Sequence, residues 1–173
     1  EPKAGGDTSF VENFEFMGSD LAIKQDTSTG HDAVLWDAAR VLAKFFEVAP
    51  IEWRGKKVLD LGSGCGLTGL CLATLGAQVT VTELPGKTAI LAHNVAANPA
   101  EGGGSCAVRD CVWGEAGQAT PWGEVTDMGD DWDFIVGSDL VYSDESTPAL
   151  LQTFKGSLRA GAEIIMSMEL RRK

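Results

Sequence analysis

The chain is short of positive charge. Its 173 residues carry 14 Lys and Arg against 25 Asp and Glu, a formal net charge of −11. Nucleic-acid binding relies on clustered basic side chains, so a phosphate backbone is not expected as a partner. The acidic excess suits a basic partner such as a lysine-bearing protein surface, and it serves solubility equally well. Imidazoles are scarce too, with only His31 and His93. The four cysteines, Cys65, Cys71, Cys106 and Cys111, form no C-x-x-C pair. No metal site is therefore expected. No apolar run reaches about 18 residues, so no membrane span is expected. The opening "EPKAGGDTSF" has no charged region leading into an apolar one, the pattern of a secretory signal. Cysteines without such a signal read as packing residues in a reducing interior. The expected location is the cytoplasm, with the nucleus as a second possibility. Tyrosine occurs once, at Tyr142.

What is present is an ordinary globular composition. Apolar residues make up 44%, and the length suits one domain with one core. Residues 1–9 read as a disordered tail, and residues 10–173 as the domain. "FEFMGSDLAIKQ" alternates apolar residues about Gly18 and predicts a hairpin. "STGHDAVLWDAARVLAKFFEVAP" has helical spacing through Val34, Leu35, Ala38, Leu42 and Phe45, stopped at Pro50. From "KVLDL" onward, strands and helices alternate. Strands are expected at "KVLDL", "AQVTVTEL", "CAVRDCVW", "WDFIVG" and "AEIIMSME". Helices are expected at "GLTGLCLATLG", "GKTAILAHNVAAN" and "STPALLQTFKGSL", the last with Ser146 as N-cap and Pro148 in its first turn. That alternation means an α/β fold, a parallel sheet with helices on both faces.

Ligands in such sheets sit beyond the carboxyl ends of the strands. The stretch "VLDLGSGCGLTGL" fits that place, with Gly62, Gly64 and Gly66 at every second position. Glycines there let backbone N–H groups approach a ligand without β-carbon interference. Gly64, Gly66 and Gly69 also satisfy G-x-G-x-x-G, so a dinucleotide remains possible on this motif alone. Glu83 ends the next strand, where a carboxylate accepts the hydroxyls of an adenosine ribose. This pair fits an NAD binder or an S-adenosylmethionine binder alike.

"GSDLVYS" separates them. Asp139 and Tyr142 follow the fourth strand, and a nicotinamide binder has no use for that pair. A methyl-transfer site does: a carboxylate positions an ammonium, and an aromatic face stabilises cationic character. Against this stand a helix cap for Asp139 and plain packing for Tyr142. Trp113 in "CVWG" ends the third strand, placed to pack against an adenine, and Trp36 in "AVLWDAA" is placed to border the methionine end of the cofactor. Both tryptophans also suit a core.

In family order the chain carries "TGHDAVLWDAA", "VLDLGSGCGLTG", "VTVTEL", "LAHNVAAN", "CVWGE", "GSDLVYS" and "LLQTF". Through these it resembles the seven-β-strand protein lysine methyltransferases, the methyltransferase-like 21 group of family 16. The resemblance implies a Rossmann-like class I fold and an S-adenosyl-L-methionine cofactor without metal. It implies cofactor contact by Trp36, Gly62, Ser63, Gly64, Glu83, Trp113 and Ser138, and places Asp139 and Tyr142 on the catalytic side. It implies a protein substrate presenting a lysine, such as a chaperone or translation factor, though close relatives methylate histidine or arginine. Glu83 departs from the Asp of many relatives. The five strands counted fall short of seven, so the last helix and closing hairpin are expected to be missing. Two other functions remain beside this one: a class I methyltransferase acting on a small molecule, and a non-catalytic cofactor-binding module. No nicotinamide or substrate half follows the glycine motif, which sets the dehydrogenase reading aside.

Overall fold

The computed structural model describes residues 8–29, 33–100, 102–121 and 123–170. The predicted hairpin is there and is longer than expected, with β1 (Ser9–Phe16) paired antiparallel to β2 (Ser19–Asp26). Its turn uses positive φ at Met17 and Gly18. Thr8 and Ser9, assigned by the sequence to a disordered tail, belong to this hairpin. Ser9 pairs with Asp26, and the Thr8 hydroxyl donates to Asp26 Oδ1 at 2.7 Å. Residues 1–7, His31 and Trp122 lie outside the described residues.

Helix α1 (Asp37–Val48) starts later than the apolar spacing suggests, with Trp36 extended at its N-cap. The parallel strands are β3 (Lys57–Asp60), β4 (Gln78–Glu83), β5 (Ser105–Asp110), β8 (Phe134–Ser138) and β9 (Glu163–Ser167). Between them run α2 (Leu67–Thr74), α3 (Ala89–Ala97) and α4 (Thr147–Ser157). Two short strands, β6 (Ala119–Thr120) and β7 (Gly123–Glu124), close a small ribbon in the β5–β8 connection. The sheet order is β5-β4-β3-β8-β9. The chain winds outward from β3 to β5, then returns to the other side of β3, so the topological switch lies between β3 and β8.

Alternation along the central strands divides the core. Val58, Val79, Val81, Phe134 and Val136 face α1, α2, α3 and the hairpin. Leu59, Leu61 and Ile135 face Leu150 and Phe154 of α4 on the opposite side. Helices therefore lie on both faces, three against one, and the acidic β5–β8 connection supplies the rest of the second face. Trp53 fills the first core, 4.7 Å from Phe134 and 5.3 Å from Phe46 between ring centroids. The cysteines are free thiols, and burial pushes Cys65, Cys106 and Cys111 up to about 12. They are packing residues, not nucleophiles.

Ser146 is the N-cap of α4, but its side chain makes no capping bond. Ser143 does the work nearby: its Oγ accepts from the amides of Glu145 and Ser146, at 3.1 and 3.3 Å. Among the described residues no helix is long and apolar enough to cross a membrane, and no cluster of His, Cys, Asp and Glu could hold a metal ion.

Candidate active site

The glycine loop leaves β3 at Asp60 and enters α2 at Gly66. Gly62, Gly64 and Gly66 all have positive φ, at 57°, 54° and 86°. At Gly62 the neighbours require glycine as much as the dihedral does. A β-carbon there would stand 3.0 Å from Leu140 Cδ2 and 3.2 Å from Trp113 Cζ2. The loop is fastened to β4 from below. The Ser63 amide donates to Thr82 O at 2.7 Å. The Ser63 hydroxyl donates to Asp60 O and accepts from the Thr82 amide, both at 2.9 Å. The Ser63 side chain is thus committed to the loop's own scaffold.

Glu83 ends β4 with its carboxylate at the loop. Oε2 accepts from the Gly64 amide at 3.2 Å, and Oε1 from the Leu84 amide at 2.9 Å. Trp113 lies three residues past the end of β5, not at the strand end as the sequence suggested. It is half-buried, and its ring covers Gly62. Its centroid is 6.5 Å from that of Tyr142, at an interplanar angle of 46°.

The D-x-x-Y element turns sharply because Asp139 adopts φ 55°, a left-handed conformation that Asp tolerates better than most side chains. The turn drives Leu140 inward to 3% exposure, between Gly62 and Gly137. A β-carbon at Gly137 would meet Leu140 Cδ1 at 2.4 Å, so this turn requires glycine two residues earlier. Asp139 stays half-buried at the rim, and Tyr142 is 61% exposed. Asp139 does not cap α4, which begins eight residues later. Its amide donates to Ser167 O at 2.8 Å, and its Oδ1 accepts from the Glu169 amide at 3.3 Å. Ser138 closes β8 in register with Ser167 of β9. The Ser167 hydroxyl donates to Ala38 O at 2.6 Å in the first turn of α1, beside Trp36.

Direct contacts thus link Gly62 with Trp113, Gly64 with Glu83 and Trp113 with Tyr142 at the carboxyl ends of the strands, and Asp139 joins through its neighbour Leu140, which packs on Gly62. Trp36 joins through Ala38 and Ser167, and Ser63 supports from within.

Sequence reasoning passed over Asp60. The carboxyl is wholly buried beneath the glycine loop. Its Oδ2 accepts from the Thr68 hydroxyl at 2.6 Å, while Oδ1 has no partner. Burial pushes it up to about 7, against the hydrogen bond from the Thr68 hydroxyl, and nearby Glu83 adds to the rise. An ionisable residue flanked by buried apolar ones, two positions before the first glycine, was the available signal. Asn94 was missed too, hidden in a helix whose neighbours are mostly apolar.

Against known proteins, a family model described as lysine methyltransferase matches residues 15–173. The Protein N-lysine methyltransferase METTL21A of Xenopus tropicalis is 36% identical over 160 residues, 92% of this chain and 71% of that protein. The Danio rerio METTL21A is 37% identical over 160 residues, covering 91% and 70%. EEF1A lysine methyltransferase 3 of Xenopus tropicalis is 32% identical over 165 residues, covering 93% and 69%. Among solved structures, the T. Thermophilus 16S rRNA N2 G1207 methyltransferase, in complex with AdoMet and guanosine, superposes with a TM-score of 0.64 at 20% identity. The match covers 92% of this chain and 42% of that one. A SAM-dependent methyltransferase from Agrobacterium tumefaciens gives 0.61 at 14% identity, covering 99% and 56%. This chain spans less than two thirds of either, and at these identities the likeness shows the fold.

Proposed function

The chain belongs to the lysine methyltransferase family, and from that premise we infer that it methylates the side-chain nitrogen of a lysine on another protein, using S-adenosylmethionine. The observation that carries this reading is the direct contact between the glycine loop and the D-x-x-Y turn. Leu140 and Trp113 both pack on Gly62, and Trp113 faces Tyr142. A cofactor cradle and a carboxylate–aromatic rim are thereby parts of one surface.

The residues present fit the cofactor. The loop has no β-carbon at Gly62, Gly64 or Gly66, and helix α2 begins at Gly66 without a side-chain cap. Glu83 brings a carboxylate to the loop that can accept from ribose hydroxyls. Trp113 offers an indole face for the adenine. When bound, the cofactor supplies an electrophilic methyl group on a sulfonium. The chain's own residues do the positioning, which is the main requirement of an in-line displacement. Asp139, at the rim, holds the incoming ammonium by charge. The exposed Tyr142 ring presents a face to the same cation. Lysine has a reference pKa of about 10.4, so its neutral form is scarce at pH 7. The open rim lets the proton pass to water before attack.

Asp144 and Glu145, directly after the D-x-x-Y turn, are exposed and favour a basic protein partner. A translation factor is the first target to test, because EEF1A appears in one relative's name. We place this reaction in the cytoplasm or nucleus. The test is incubation with methyl-labelled S-adenosylmethionine, purified EEF1A and, separately, a cell lysate. Label on a protein band, released as methyl-lysine on hydrolysis, supports the reading. Label confined to small molecules overturns it in favour of a small-molecule acceptor.

A further inference from the structure

Asn94 of α3 and Asn98 at the C-cap of that helix stand four residues apart and reach the same neighbour. Both bond to the backbone of β2. Asn94 Oδ1 accepts from the Lys24 amide at 2.8 Å, and Asn94 Nδ2 donates to Lys24 O at 2.9 Å. Asn98 repeats the pattern on Ala22, at 2.8 and 3.0 Å. A side-chain amide carries the same donor and acceptor as a peptide group, so each asparagine replaces one residue of a missing neighbour strand. A two-stranded hairpin is marginal by itself and has open edges. Here α3 completes the edge of β2.

The two asparagines differ in one respect. Asn94 Nδ2 also donates to Cys65 O of the glycine loop at 2.9 Å, and Asn94 is fully buried. Asn98 uses its second donation on the carbonyl of Asn94 within its own helix. Leu91, one turn before Asn94, lies under Gly66, where a β-carbon would meet its Cδ1 at 2.6 Å. At its other end β2 holds the segment that leads to Trp36. Gln25, 2% exposed, accepts from the Leu35 amide at 2.8 Å and donates to Glu12 at 3.0 Å. Glu12 in turn pairs with Arg40 of α1 through both terminal guanidinium nitrogens. The Asp26 amide donates to Ala33 O at 2.9 Å.

We infer that Asn94 is a positioning residue for the cofactor site, fixing the glycine loop against the N-terminal hairpin, which in turn fixes the Trp36 segment. The inference rests on the cofactor reading above. Asn94 reaches the loop from the buried side through Cys65 O and acts on the loop's position. The hairpin is then part of the cofactor site's frame, and movement of the hairpin is felt at the loop.

Asn98→Ala is the matched control, because it removes the same kind of bonds to β2 and none to the loop. Calorimetric titration with S-adenosylmethionine is compared for the unmodified chain, Asn94→Ala and Asn98→Ala, with thermal melts of each. Both variants should lose thermal stability. Asn94→Ala should bind about tenfold more weakly, as fits the loss of its one bond to the glycine loop, and Asn98→Ala should stay within about twofold. Amide hydrogen exchange in the cofactor-free protein should quicken at residues 64–67 in Asn94→Ala alone. Should Asn94→Ala fail to fold, Asn94→Ser is read on the same scale. Equal weakening in both variants, or none in Asn94→Ala, overturns the inference. Failure of the unmodified chain to bind overturns the cofactor reading instead.

Discussion

Replacing Asp60 by Asn tests the buried carboxyl beneath the glycine loop. In the folded chain its pKa stands at about 7, against an ordinary 3.8 for an aspartate. The folded state therefore holds this proton in a range where the unfolded chain has released it. Stability from this group is greatest below pH 3.8, falls as pH rises toward 7, and is level above that. Integrated between pH 5 and pH 8, the shift destabilises the chain by about 2–3 kcal/mol. Glu12, Asp26, Glu47, Asp131 and Asp133 have lowered pKa values and drive stability the opposite way in acid. Those residues are common to both proteins and cancel in the comparison. The Asn side chain can still accept from Thr68 and has no proton to lose. Urea unfolding of both proteins at pH 5, 6, 7 and 8 should therefore show the variant gaining on the parent by about 2–3 kcal/mol across the range. A difference that stays flat with pH would refute the buried, raised carboxyl.

Asp139→Asn keeps an acceptor for the Glu169 amide and suits the left-handed backbone, so it isolates the charge. Turnover should fall by about a hundredfold or more with cofactor affinity unchanged in calorimetry; normal turnover removes Asp139 from the chemistry. Glu83→Ala should weaken S-adenosylmethionine binding by about 1–3 kcal/mol, and unaltered affinity rules out the ribose role. Gly69→Ala puts a β-carbon 2.1 Å from Val81 Cγ1 across the α2–β4 contact. It should lower the denaturation midpoint by an amount equal to about 1–3 kcal/mol, and an unchanged midpoint contradicts that packing.

Much of the fold was legible because its signals are local. Alternation of short apolar strands with helices dictates a parallel sheet, and Glu83 was read as the final polar residue of a strand that in the structure ends on it. The order of the functional residues along the chain also placed them at carboxyl strand ends before any contact was known. Where local signals mislead, a longer-range contact wins. Val34 and Leu35 have helical spacing with α1, yet the Leu35 amide is taken by Gln25 and the helix waits until Asp37. Thr8 and Ser9 look like tail, yet pairing with Asp26 draws them into the hairpin. Ser146 has the right type for a cap, yet Ser143 offers the nearer oxygen.

The sequence by itself determined the sheet, the glycine loop and the residues at its rim, since period, turn chemistry and strand-end position are properties of neighbouring residues. Only the tertiary structure decided what supports them. Asp60 became a high-pKa carboxyl because the glycine loop and the sheet bury it, and the Thr68 hydroxyl bond only partly offsets that burial. Asn94 became a link between hairpin and loop because α3 packs where two separate backbone segments, 41 residues apart at Lys24 and Cys65, come within reach of one amide. Burial and hydrogen-bond partners at that separation are set by packing, which no local pattern in the chain encodes.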